Sequence, residues 1–217
     1  AFILSISQLF RSFESNSPAT PIFHTFFFIS LGSVIFPQFL YLVPLFWISM
    51  IPFRSISGKS LAASILGILT PYWFLFGYAF YSNELTLFWA PLEEAIHFYP
   101  IHYGALTLPE ILSWGVITLL LVVSGVHYVS VSYLDKTRTR IFHSFLTIAG
   151  LWITICMALQ PVHLHILMPI QLICTAFLSG HLFTLTRNRF SGILFIVTFV
   201  VFILLMSFNL WMQFFNS

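Results

Sequence analysis

The chain has 217 residues, 59% hydrophobic and 6% charged, with a net charge of +2 and a mean hydropathy of +0.98. A soluble domain carries roughly 25% charged residues, so this composition excludes a water-facing globule and defines an integral membrane protein. Eight Lys and Arg with no basic tract exclude nucleic acid as a partner, and strict alternation of the barrel type is absent, which leaves helices as the spanning elements.

In chain order, "AFILSISQLF" comes first. It reads as the tail of a membrane span and not as a signal peptide, because no basic segment precedes it. Further natural sequence is therefore expected upstream of Ala1. Apolar helices are expected over Pro21–Phe36, Gln38–Pro52, Ser60–Tyr81, Leu108–Tyr133, Ile141–Leu159, Pro161–Phe183 and Phe190–Phe214. The first two are short against the roughly 20 residues that cross a bilayer core. Pro37 separates them, so a tight hairpin and one long helix kinked at Pro37 both fit. Pro161 suits a first helical turn. The expected fold is an all-α polytopic transmembrane bundle of about seven membrane helices. It forms a single integral-membrane domain over 1–217, with a loop over 82–107.

The basic residues fall in groups: Arg11; Arg54 and Lys59; Lys136, Arg138 and Arg140; Arg187 and Arg189. In the hairpin reading an even number of crossings separates every group, so all lie on one face, which the positive-inside rule makes cytoplasmic. In the kinked-helix reading only Arg11 changes sides. Either way the basic loops at 54–59, 135–140 and 186–189 are cytoplasmic, and 82–107 and the turn near Gln160 are not. Glu84, Glu93, Glu94 and Glu110 belong to the non-cytoplasmic side, and only Glu14 and Asp135 do not. Trp89, Phe98, Tyr99 and Tyr103 suit an interfacial depth there. "APLEEAIHFY" is expected to form a short interfacial helix with Pro91 in its first turn and its acids near the N-terminus, where the helix dipole favours them.

Candidate chemistry concentrates in the same stretch. Glu93, Glu94 and His97 share a helix face by spacing and are the candidate catalytic acid–base residues. Glu94-Ala95-Ile96-His97 has the Glu-x-x-His spacing of di-iron bundles, but those sites need two copies and only one is present. His102, His163 and His165 lie on the same side and are candidate substrate-binding residues. His163 and His165, two apart, diverge by about 200° on a regular helix, so they cannot chelate one metal together. His127, His143 and His181 form a second set near the cytoplasmic face, where hydrogen bonds between helices account for each. No acid lies inside a span away from its edge, which argues against a proton- or ion-coupled pump. Cys156 and Cys174 read as packing residues, and no metal or cofactor is expected. Ala63 and Gly67, four apart, mark close helix packing, and Pro71 and Pro169 mark kinks.

The stretch "FPQFLYLVPLFWISMIPFRSISGKSLAASILGILTPYWFLFGYAFY", Phe36–Tyr81, resembles a family of uncharacterised polytopic inner-membrane proteins of Bacteroidota. The likeness rests on an aromatic-proline turn, an apolar span, a short basic loop and a span containing "LGILTPYWFL". It implies an inner-membrane protein of the cell envelope and assigns no catalytic residue. The general layout is also similar to polytopic glycosyltransferases and polymerases using lipid-linked sugars, which place an acid on an outer loop next to the first spans. Glu84, Glu93 and Glu94 come later in this chain. The leading functional expectation is a non-enzymatic subunit or scaffold of an envelope complex, with the lipid bilayer and other membrane chains as partners. The alternatives are an enzyme acting on a lipid-linked saccharide or phosphate and a transporter built around the Pro71 and Pro169 kinks.

Overall fold

The structure, a computed structural model, describes residues 1–185 and 189–215. Among them all regular structure is helical, and it falls into two compact units, Ala1–Tyr99 and Pro100–Ser217. Arg187, in the last basic group, lies outside the described residues.

The first unit holds α1 (Phe2–Arg11), α2 (Ala19–Ile35), a 3-10 segment (Pro37–Leu42), α3 (Val43–Ser49), α4 (Gly58–Tyr81) and α5 (Thr86–Ile96). The chain reverses at Phe36, whose backbone is extended, and Pro37 opens the return. Phe39 then packs on Gly32, and Phe46 and Trp47 on Phe26, so the return runs antiparallel to α2. The hairpin is the form adopted, not a single kinked helix. Its return limb is short, and the 3-10 rise of about 2.0 Å per residue lengthens it relative to an α-helix. Helix α1 runs beside this limb, with Phe2 on Phe46 and Phe10 stacked on Phe53. Arg54 and Glu14 meet at 3.5 Å, so the basic residues of this unit gather at one end.

Helices α2 and α4 run parallel and touch closely. Gly67 sits against the Phe23 backbone, Ser30 Oγ donates to the Ile68 carbonyl at 2.6 Å, and the Ser33 and Tyr72 hydroxyls meet at 2.9 Å. The small residues read from the sequence serve this contact, as lipid-embedded helices require when backbones approach. Helix α4 continues through Pro71, which cannot donate to the Gly67 carbonyl. It ends in a Schellman turn. Asn83 takes a positive φ of 55°, its N–H bonds to the Phe80 carbonyl, and the Glu84 N–H reaches back to Ala79. The next helix therefore starts at once, at Thr86.

The second unit holds α6 (Leu108–Val131), α7 (Thr137–Leu159), α8 (Leu164–Leu185) and α9 (Arg189–Phe215). Short 3-10 turns at Ser132–Leu134 and Pro161–His163 join the first three. Helix α8 lies parallel to α6 and antiparallel to α7. Gln171 is fully buried, and its Nε2 donates to Thr118 Oγ1 at 3.0 Å and Thr154 Oγ1 at 2.8 Å, tying the three helices together at mid-height. Gly150 receives Leu121. Helix α9 is joined through Phe183 on Phe195 and a bond from Asn209 Nδ2 to Ser113 Oγ at 3.1 Å. Helices α4, α6, α7 and α9, together with Pro161–Thr184, contain the five stretches long and apolar enough to cross a membrane. The sequence reading located each of them, and added the hairpin as two short ones.

A Cβ at Gly67 would stand 2.6 Å from the Phe23 carbonyl oxygen, whereas one at Gly77 would meet nothing within 4 Å. Gly67→Ala should therefore destabilise the α2–α4 pair by about 1–3 kcal/mol, the range for overpacking. Gly77→Ala should be neutral or mildly stabilising through helix propensity. Thermal unfolding of both variants in detergent measures the contrast, and equal melting temperatures would contradict this packing.

Candidate functional site

Helix α5 differs from the sequence expectation in one consequential way. It begins at Thr86, not near Pro91, because the Schellman turn at Asn83 releases the chain directly into a new helix. Pro91 then falls in the interior, where it has no N–H to give the Leu87 carbonyl. Glu93 and Glu94 consequently sit in the last turn, at the negative end of the helix dipole, and not in the first turn where they would be favoured. His97 caps the C-terminus with extended backbone, its N–H bonded to the Glu93 carbonyl at 2.9 Å. Its helical φ of −71° keeps the last intrahelical bond, and its extended ψ of 114° turns the chain that follows.

The His97 ring meets Tyr99 edge-on, with centroids 4.6 Å apart. Tyr99 turns back to donate its phenol to Glu94 Oε2 at 3.1 Å. This contact, then loss of solvent, then the carboxylate's negative charge raise the Tyr99 pKa above its ordinary 10.0. Glu93 and His97 are exposed, while Glu94 is partly buried. Glu94 lines an open groove of about 520 Å³ whose walls are Val34, Ile35, Pro37, Leu75, Leu87, Ala90 and Pro91, with Tyr78 as its other polar side chain.

In the second unit, His102 is exposed in the loop before α6. His163 is buried, 3% exposed, in the turn before α8. His165 is 71% exposed, and its Nε2 lies 2.9 Å from Glu110 Oε1. Glu110 is already committed to structure: its Oε2 accepts the Thr107 N–H at 2.8 Å in the capping box that opens α6. His163 and His165 therefore take separate environments, one buried and one paired at the surface.

The opposite end of this unit carries a denser constellation. His181 Nε2 lies 3.0 Å from Asp135 Oδ2, with the two side chains 9% and 11% exposed. The approach is close but lacks the angle of an aligned hydrogen bond. The His143 ring stands 4.2 Å from the His181 ring, centroid to centroid, and Tyr128 packs against both. His143 Nδ1 contacts the Thr139 carbonyl at 2.9 Å. A carbonyl only accepts, so the contact assigns the proton to Nδ1 and leaves Nε2 as the acceptor. The Tyr128 hydroxyl donates to the Arg140 carbonyl at 2.6 Å. The sequence grouped these histidines but missed Asp135 and Tyr128. The available signal was the shortness of the 132–136 connection, which returns Asp135 to the end of the α7–α8 pair. Chemically, a buried carboxylate beside two imidazoles holds and exchanges a proton. Among the described residues no three His, Cys, Asp or Glu side chains are arranged to hold a metal ion.

No family model, no curated protein and no solved structure matches the chain.

Two expectations follow. The raised Tyr99 pKa means that its bond to Glu94 contributes fully below pH 10 and is lost as pH rises through the higher folded value. A 295 nm titration should lose one late-titrating tyrosine in Tyr99→Phe and show one tyrosine moved downward in Glu94→Gln; an unchanged curve in both would contradict the contact. For the second site, Asp135→Asn and His181→Gln should each destabilise, with a coupling of about 0.5–3 kcal/mol in the double-mutant cycle. Additive effects in detergent melts would mean the pair is mere proximity.

Proposed function

We propose that the chain is a non-enzymatic subunit or scaffold of a cell-envelope complex in a bacterial inner membrane, with its basic loops cytoplasmic. The observation that carries this reading is α9. It is 27 residues long, and no side chain of Gly192–Met212 is fully buried by its own chain. A helix held by an aromatic contact at one end and an asparagine at the other leaves long faces for a neighbour. In lipid, association is driven by packing and interhelical hydrogen bonds and not by apolarity alone. The candidate residues Glu93, His97, His102 and His165 are exposed, and Glu110 and His165 are engaged with each other, which fits surface chemistry better than a catalytic cleft. The enzymatic reading with a lipid-linked phosphate is less well supported. From Lys59 to Lys136 the chain has no Lys or Arg to meet phosphate, while four glutamates lie between.

Purification from native membranes in mild detergent tests this. A stoichiometric protein partner, photo-cross-linked from positions 199 and 203 on α9, is the expected result. A solitary chain whose α9 probes label only lipid would count against the subunit reading.

A further inference from the structure

The groove of the first unit is built for a cation. Three helices finish there. The parallel packing of α2 and α4 brings both C-termini to this end, and Val34, Ile35, Leu75 and Tyr78 from their closing turns wall the groove. Helix α5 lies across it and ends at Ile96, with Glu93 and Glu94 in its last turn. Each C-terminus contributes partial negative charge, on the order of half an elementary charge before capping. Glu93 and Glu94 are therefore placed where the backbone field of α5 disfavours them. No cation of the unit answers them. Its Lys and Arg residues are Arg11, Arg54 and Lys59, all at the opposite end, where Arg54 is engaged with Glu14.

The groove supplies the matching acceptors. Tyr99 donates to Oε2 of Glu94, which orients the carboxylate in the groove wall. Leu87, a wall residue, carries the carbonyl that Pro91 cannot bond. Tyr78 adds an aromatic ring, a surface on which ammonium groups are attracted. The remaining walls, Val34, Ile35, Pro37, Leu75, Leu87, Ala90 and Pro91, are aliphatic and offer an apolar surface to an acyl chain. We propose that this groove binds a phospholipid through a primary ammonium headgroup, with the ammonium on Glu94 and an acyl chain along Val34, Leu75 and Leu87. Charge complementarity selects this occupant over an anionic lipid, which would bring its phosphate and headgroup to the Glu94 carboxylate and the C-terminal end of α2 without a basic residue to offset them.

The full chain, delipidated in detergent, is titrated with phosphatidylethanolamine or phosphatidylglycerol of identical acyl chains and read by native mass spectrometry. Phosphatidylethanolamine adducts should exceed phosphatidylglycerol adducts by about tenfold or more, the scale of one charge-assisted hydrogen bond. Glu94→Gln should erase that preference, whereas Glu93→Gln, at an exposed neighbour, should keep it. Ala90→Trp fills the groove without touching the charge and should remove the bound lipid altogether, so the test does not depend on one variant folding. Equal adducts for the two lipids, or a preference indifferent to Glu94→Gln and Ala90→Trp, would overturn the proposal. So would a photo-cross-linker at position 90 that captures a protein chain and no lipid.

Discussion

In hydrocarbon no water is present to take a hydrogen bond, so every polar group in a span must find its partner in the chain. That constraint accounts for most of the span hydroxyls, although Ser124 Oγ and Trp114 Nε1 on α6 are buried without a hydrogen-bond partner. The hydroxyls of Thr25, Ser49, Ser64, Thr70, Thr147, Thr154 and Thr175 all bond back to carbonyls three or four residues earlier in their own helices. Such bonds make a serine or threonine nearly as acceptable as alanine at depth and leave it small enough for close packing. Where a side chain is too large for that solution, it ties helices together, as Gln171 does with Thr118 and Thr154. Ionisable groups, which neither route can hide, are left to the helix ends.

The ends are not equivalent. In the first unit the parallel run of α2 and α4 polarises the bundle. Their N-terminal ends lie with the basic residues, and their C-terminal ends lie with the acids of α5. Lys59 in the first turn of α4 and the acids in the last turn of α5 oppose their helix dipoles, whose N-termini favour anions and C-termini cations, whereas Arg11 in the last turn of α1 is favoured. Under the proposed cytoplasmic placement of the basic loops, topology accounts for Lys59, because cytoplasmic loops collect Lys and Arg whatever the backbone field prefers. The placement of the α5 acids has no such explanation. It follows from where α5 begins, and it leaves negative charge concentrated beside an apolar groove.

Much of this was legible in the sequence. Span positions followed from long apolar runs, whose signal is strong because it is summed over about twenty residues. The hairpin at Pro37 was one of two open readings. The antiparallel packing of Phe39 on Gly32 decides it, a contact between residues that sequence spacing alone cannot bring together. Pro91 reads locally as a first-turn signal, yet it lies inside α5, which starts five residues earlier at Thr86. The local cue that mattered was Asn83, able to adopt a positive φ and close α4 in a Schellman turn. Of the candidate residues, Glu94 could be placed in a loop by sequence but not in a groove, since its walls come from three separate helices. His163 and His165 stand two apart and diverge, one buried in the 3-10 turn Pro161–His163 and the other exposed in the first turn of α8.

The Asp135–His181–His143 cluster illustrates the same rule from the other unit. Each member is tolerable alone: an acid at a loop, and neutral imidazoles near the ends of spans. What assembles them is the antiparallel run of α7 and α8 combined with the three-residue turn after α6, which carries Asp135 back over the helix ends. The Asp135 carboxylate reaches His181 at 3.0 Å and the His143 ring closes on it at 4.2 Å, so the three side chains form one polar cluster held together by the turns that bring them there. Polar chemistry in this chain is thus local to helix ends, and its composition at each end is decided by turns only a few residues long.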